Sequence, residues 1–211
     1  MFRRISVILI LTLLACGLPA EPQGGVVKRG LVKWVGDGDT ILLAGGERVR
    51  YLGIDAPEVA HDGKPAEPYG ARARVFNKQL VLGNWVRLEV DEEQRDHYGR
   101  LLAYVFLEDG TFVNGALIRQ GYAHLLRRQA NLRYWDQLLK FQRQALKEKK
   151  GIWAMAPVKP EKYYLGNKRS WVFHRPHCTF GLKSATRNQV RFKDRFEAAY
   201  QGFSPGRGCK P

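Results

Sequence analysis

The stretch 37–58, DGDTILLAGGERVRYLGIDAPE, decides how the rest of the chain is read. Four of its carboxylates, Asp37, Asp39, Asp55 and Glu58, fall in two clusters flanking a span rich in β-branched and aliphatic residues, with Arg50 on the second arm. Gly45-Gly46, between residues 40–43 and 48–54, is a turn signal joining two antiparallel strands. Closing that hairpin sets Asp39, just before the first strand, beside Asp55, just after the second. Two bare carboxylates repel unless a proton or a cation lies between them. A hard divalent cation suits such oxygen ligands, and with no His or Cys in the stretch the expected ion is Ca²⁺ or Mg²⁺. Glu58, behind the stiffening Pro57, is placed to orient a water nucleophile. Taken singly, D-G-D-T and D-A-P-E are ordinary solvated turns; their pairing across one hairpin, with Arg50 between, is what points to chemistry.

Outward from the hairpin, residues 26–35 read as a preceding strand and 61–68 as a loop long enough to act as a flap beside the site. A helix is expected over 69–82, with Ala73, Phe76 and Leu80 on its apolar face and Gly83 as its stop. Strands are expected at 85–90 and 101–107, and a short helix at 112–120. Asn131 is expected to cap a longer helix with Leu132, Trp135, Leu138, Leu139 and Leu146 on one face, ended by Gly151. Five strands with a helix between the third and fourth, then further helices, describe an α+β fold: a five-stranded OB-type barrel with about three helices.

Of 211 residues, 35 are Lys or Arg and 20 Asp or Glu, giving +15 and implying a polyanionic partner, either nucleic acid or an anionic membrane surface. The excess is uneven: residues 26–158 carry 21 basic against 16 acidic side chains, and residues 160–211 carry 11 against 3. Residues 1–20 read as an export signal, with Arg3 and Arg4 ahead of an apolar run. Leu13-Leu14-Ala15-Cys16 resembles a bacterial lipobox, so the expectation is a lipid on Cys16 and a tether to residue 25, with cleavage after Ala20 as the alternative. The mature chain is then anchored to the cell envelope, or secreted or periplasmic, where disulfides are permitted.

Val35-Gly-Asp-Gly-Asp-Thr40, Arg50-Tyr-Leu-Gly-Ile-Asp55-Ala-Pro-Glu58, Tyr69-Gly70, Tyr98-Gly-Arg100-Leu-Leu-Ala-Tyr104, the stretch from Asn114 to Gly121 and Gly151-Ile-Trp153 resemble the staphylococcal nuclease family in order and spacing, over about 130 residues. The resemblance implies an OB barrel over residues 26–156 and Ca²⁺-dependent phosphodiester hydrolysis of DNA, with RNA a candidate, to 3′-phosphate products. It implies Asp39, Asp55 and the backbone carbonyl of Ala56 as the ion's ligands and Asp37 just behind them. It makes Glu58 the residue that activates or orients water, Arg50 and Arg100 the phosphate-holding arginines, and Tyr98 a substrate contact. Ala56 stands where the best-known members have Thr, and a base-stacking tyrosine of those members falls near Arg127. The alternative is a catalytically silent OB module that binds nucleic acid; such modules typically lose a carboxylate or an arginine, and none is lost here.

After a linker at 157–162, residues 163–211 form a second, small α+β unit. Gly166-Asn-Lys-Arg-Ser170, His174-Arg-Pro-His-Cys178 and the segment from Phe203 to Pro211 resemble the zinc-binding domain of Ada-type alkylation-repair proteins. His174, Cys178 and Cys209 keep three ligand positions, and Gly206 stands at the fourth. Three ligands make a poor closed zinc site. With Cys16 lipidated two cysteines remain, so a Cys178–Cys209 disulfide is the favoured reading, ahead of Zn²⁺ or free thiols. The tail is expected to grip nucleic acid electrostatically, with Trp171, Phe173 and Phe180 either stacking on bases or forming its core, and the chain is expected to be monomeric.

Overall fold

The computed structural model describes residues 27–61, 63–156 and 160–209. The export segment with Cys16, its tether and positions 157–159 of the linker lie outside the described residues, among which no helix is long and apolar enough to cross a membrane. Five strands close into a barrel in the order β1-β2-β3-β6-β5. β1 (Val27–Val35) serves two neighbours: its first half pairs antiparallel with β5 (Trp85–Glu89) and its second half with β2 (Thr40–Leu43). The register shifts between Val32 and Trp34, the kind of irregularity that bends a strand around a barrel corner. β2 turns into β3 (Arg48–Tyr51) with Thr40 opposite Arg50, as the hairpin reading required. β6 (Leu101–Leu107) runs parallel to β3 and antiparallel to β5. Its unbroken apolar sequence LLAYVFL matches a strand buried nearly throughout.

The second arm of the hairpin is shorter than expected. The chain leaves β3 at Tyr51, turns at Gly53 with φ 75°, and resumes as a separate two-residue strand, β4 (Ile54–Asp55), paired with β7 (His124–Leu125). A left-handed turn cannot belong to a continuous strand. Asp55 is therefore positioned by β7 as well as by the hairpin.

Three helices cover the barrel: α1 (Gly70–Val81), α2 (Val113–Arg119) and α3 (Trp135–Lys147). Gly70 is obligatory, because a Cβ there would meet the Glu58 carbonyl oxygen at 2.2 Å. Asn131 does not cap α3, which begins four residues later; its side chain instead accepts from Glu93 N (2.9 Å) and donates to Glu93 O (2.9 Å), clasping the loop before β6. Asn114 works similarly in the core, accepting from Val105 N (2.9 Å) and donating to Leu52 O (2.8 Å).

The chain beyond residue 160 builds a second sheet, ordered β10-β8-β9-β11, from β8 (Tyr164–Asn167), β9 (Val172–His174), β10 (Gln189–Phe192) and β11 (Ser204–Pro205). Two short helices, α4 (Thr179–Leu182) and α5 (Arg195–Tyr200), accompany it. Tyr164, Phe173, Phe192, Ala198 and Phe203 form its own apolar cluster. The sheet is welded to the barrel unit: Ala199 packs with Ala145, Ile152 and Trp153, and Ser204 Oγ donates to Leu125 O (2.6 Å). Buried Gln142 accepts from Leu125 N and donates to Ala199 O, both at 2.7 Å, so one carboxamide satisfies backbone groups from both units. Phe173 is core and Trp171 packs on Trp135 and Phe203, which leaves Phe180 as the exposed ring of the three singled out in the sequence.

Asn114→Ala strands a buried N–H and a buried carbonyl at once and is expected to destabilise the chain by about 2–4 kcal/mol. Urea denaturation at neutral pH measures it.

Candidate active site

The loop between β1 and β2 carries Asp37 and Asp39, and three contacts hold it. Asp37 Oδ1 accepts from Asp39 N (2.9 Å), Asn77 Nδ2 of α1 donates to Asp37 O (3.1 Å), and Tyr51 Oη donates to Asn77 Oδ1 (3.0 Å). Close approach needs Gly38, where a Cβ would meet Ala56 Cβ at 2.5 Å and Ala73 Cβ at 2.8 Å. Asn77 escaped the sequence reading, although a carboxamide beside the apolar positions Ala73, Phe76 and Leu80 of a helix signals a buried partner.

Arg50 and Asp39 are 6% and 4% exposed, so their pairing is an interior one. Arg50 Nη1 lies 3.1 Å from Asp39 Oδ2 and donates to the carbonyls of Tyr51 and Ile54 at 2.9 Å each, while Nη2 donates to Asp55 Oδ1 at 2.8 Å. One guanidinium thus holds both carboxylates and the turn between β3 and β4. Ala56 N donates to Asp39 Oδ2 at 2.6 Å, which brings the Ala56 peptide against the same carboxylate.

Burial raises the Asp39 carboxyl well above the usual range, opposed by the Arg50 charge and reinforced by Asp37 and Asp55. Burial also lifts Asp55, but the hydrogen bond from Arg207 and the Arg50 charge outweigh it and hold that carboxyl below the ordinary value. Glu58 is raised, chiefly by burial. Clustered carboxylate oxygens, with ionisation of Asp39 and Glu58 opposed by burial and by the neighbouring carboxylates, fit a hard divalent cation. Asp39 and Asp55 are the carboxylates that could hold one, with the Ala56 peptide beside them. Asp37, hydrogen-bonded to the Asp39 backbone, stands behind them.

Glu58 is more open than Asp39 or Asp55, with its side chain 36% exposed. Its backbone is pinned to the loop that precedes α1, where Glu58 N donates to Glu67 Oε2 (3.1 Å) and Glu67 N donates to Glu58 O (2.9 Å). Asp55, Glu58, Glu67, His124, Arg195 and Arg207 line a cavity of about 220 Å³. The expected flap loop therefore contributes its C-terminal end to the site. His124 opposes Asp55 across the β4–β7 ladder, and burial pushes its imidazole down to about 4, so it is neutral at physiological pH.

Arg100 is arranged separately. Asp96, 7% exposed, accepts from Tyr98 N (3.0 Å), Arg100 N (3.0 Å) and Arg100 Nε (2.7 Å), with Gly99 supplying the turn at φ 76°. Burial raises the Asp96 carboxyl, but these bonds with Arg100 prevail and hold it below the usual value. Arg100 also lies 5.3 Å from the centre of the Tyr98 ring, which is itself 70% exposed. The parallel pairing of Val49 with Leu101 places Arg100 at the mouth of β6, next to the strand that carries Arg50. Arg127 takes no part in the cluster; its guanidinium lies over Trp171 (4.3 Å) and Trp135 (5.1 Å) at the seam between the two units.

Arg207 was not foreseen. It comes from the far tail, yet Nε donates to Asp55 Oδ2 at 3.1 Å, Nη2 donates to Asp55 Oδ1, and Nη2 lies 3.5 Å from Glu58 Oε1. Nothing local to Gly206-Arg207-Gly208 signals this contact, which spans 152 positions. On the other side of the same loop, His174 Nδ1 lies 3.4 Å from Cys209 Sγ and 3.6 Å from Cys178 Sγ. The two cysteines are free thiols, so the disulfide expected from the cysteine count is not formed; the imidazole lies against both sulfurs, and the ligand atoms of all three residues fall within 4.8 Å of one another. A Cβ at Gly206 would meet His174 Nδ1 at 2.4 Å, so position 206 faces this cluster but brings no side-chain ligand to it.

Residues 48–155 match the family described as staphylococcal nuclease homologue. The chain is 41% identical over 126 residues to the thermonuclease of Staphylococcus intermedius, across 58% of this chain and 74% of that one. It is 38% identical over 121 residues to the thermonuclease of Staphylococcus hyicus, across 56% and 71% of the two chains. Endonuclease YncB of Bacillus subtilis (strain 168) is 39% identical over 123 residues, across 56% and 58%. The tail that carries Arg207 lies outside the matched family segment.

Removing the interior guanidinium leaves Asp39 buried without its charged partner and Asp55 with Arg207 alone. Arg50→Ala is expected to cost about 3–5 kcal/mol in chemical denaturation at neutral pH with excess chelator. Arg50→Lys, which cannot reach two carboxylates and two carbonyls from one nitrogen, is expected to recover only part of it.

Proposed function

Because this chain belongs to the staphylococcal nuclease homologue family, we propose that it is a Ca²⁺-dependent nuclease that hydrolyses phosphodiester bonds of DNA, and of RNA as a second substrate. The observation that carries this reading is the interior clamp of Arg50 on Asp39 and Asp55 with Glu58 at the rim of the adjoining cavity. Ca²⁺ would be held by Asp39, Asp55 and the Ala56 carbonyl and, when bound, supplies positive charge against a nonbridging phosphate oxygen. Glu58, partly open to solvent and raised by burial, is suited to accept a hydrogen bond from the attacking water and to draw its proton as the new P–O bond forms. Asp96 takes Nε and Nη2 of Arg100, leaving the Nη1 protons for the phosphate. Arg50 and Arg100 together offset the charge that builds on phosphorus oxygens in the transition state. Tyr98, exposed beside Arg100, is placed to touch the substrate backbone. Breaking the P–O5′ bond, with the leaving oxygen taking a proton from solvent as Glu58 returns its own, yields a 3′-phosphate and a 5′-hydroxyl.

The basic tail supports a polyanionic substrate through long-range attraction. Export by residues 1–20, with a lipid on Cys16 holding a monomeric enzyme at the envelope, is part of the same proposal and rests on the sequence of that segment.

Hydrolysis of single-stranded DNA by the chain lacking residues 1–20, with Ca²⁺ or with excess chelator, tests the reading. Cleavage is expected only with Ca²⁺. Glu58→Gln is expected to lower kcat by about 10²–10⁴-fold, and Arg100→Ala by about 10²–10³-fold. Salt-dependent DNA binding with no cleavage under any divalent ion would establish the silent binding module instead.

A further inference from the structure

Two arginines converge on Asp55, and only one belongs to the barrel. Arg50 reaches it from beneath, buried, with its other nitrogen already committed to Asp39 and two carbonyls. Arg207 covers it from the solvent side: its fork takes both carboxylate oxygens of Asp55, and the same Nη2 approaches Glu58. A carboxylate with both oxygens engaged by a guanidinium fork cannot also ligate a divalent cation closely, because ion and guanidinium would compete for the same lone pairs and repel each other.

The segment that carries Arg207 is firmly anchored. Ser204 and Pro205 pair with Val172 and Phe173, Ser204 Oγ donates to Leu125 O, and Gly206 N donates to Phe173 O at 2.8 Å. Beyond it, Arg175 Nε donates to Cys209 O at 3.2 Å, and Cys209 packs on His174. The Arg207 side chain is nevertheless 66% exposed, whereas that of Arg50 is 8% exposed. A fixed backbone therefore presents a side chain that can swing into water without unfolding anything.

We propose that Arg207 is a built-in competitor for the catalytic cation: it covers Asp55 and Glu58 until a divalent ion displaces it, and so sets the ion concentration at which the enzyme becomes active. The proposal rests on the reading of Asp39 and Asp55 as the cation site. It assigns the tail a role in the barrel's chemistry, because the arginine reaches the site only when β11 is docked beside β7. Its consequence is that the intact enzyme stays covered at low cation levels and opens as they rise.

Calorimetric titration of Ca²⁺ into the full chain, R207Q and D55N separates the proposal from the reading it rests on. R207Q is expected to bind Ca²⁺ about tenfold more tightly than the unmodified chain. The Ca²⁺ concentration for half-maximal cleavage of single-stranded DNA should fall by the same factor, and D55N should lose binding. Equal or weaker Ca²⁺ affinity in R207Q, with binding still abolished by D55N, would overturn the competitor and leave the cation site standing. Ca²⁺ binding that D55N does not affect, or no binding by either the unmodified chain or R207Q, would overturn both.

Discussion

A single buried guanidinium organises this molecule. Arg50 lies on a strand that closes the barrel, and its hydrogen bonds run to two carbonyls of the turn that ends that strand and to the carboxylates on either side. Interior carboxylates are tolerable only with a partner in place, and interior guanidinium only with its protons used. The barrel supplies both conditions at once, because antiparallel pairing sets Thr40 opposite Arg50 and delivers Asp39 next door. What remains is a cluster with more negative charge than Arg50 alone can neutralise, and Arg207 from the tail takes up part of the surplus.

The surroundings of the cluster are arranged to hold it still. Asn77 ties the Asp37 loop to α1, Glu67 pins the backbone of Glu58, and the β4–β7 ladder holds Asp55. Asp96 performs the equivalent service for Arg100, binding both its backbone and its fork so that the guanidinium does not wander. The chain from residue 160 continues this logic. Its sheet shares an apolar cluster and the Gln142 carboxamide with the barrel unit, so it is part of the architecture that lines the cavity and carries Arg207 to the carboxylates.

The barrel was legible because its signals are local and periodic. β-branched and aliphatic residues on either side of Gly45-Gly46 specify a hairpin, the apolar run 101–107 a strand, and the apolar positions of 69–82 a helix. Asp39, Asp55, Glu58 and Arg50 were legible as a group because the hairpin that unites them is itself a local structure. Asn131 misled for the same reason: its position before an apolar run favours a cap, whereas a backbone 38 positions away offers its side chain two hydrogen bonds. Gly53 broke a strand that β-propensity alone would continue to Ile54, and its φ of 75° is set by how the chain must turn to reach β7.

The amino-acid sequence by itself determined the strands of the barrel, the acidic hairpin and the basic tail, since each depends on residue types within a short stretch of chain. Tertiary structure alone decided that Cys178, His174 and Cys209 meet as free thiols about an imidazole, that Asn77 and Gln142 satisfy backbone groups on other elements, and that Arg207 lies on Asp55. These contacts join residues from four to 152 positions apart, and the longest of them depend on how two sheets dock. Side-chain charge attracts a partner over a distance that residue spacing does not encode, and only the packing of apolar surfaces between the units fixes which carboxylate the last arginine reaches.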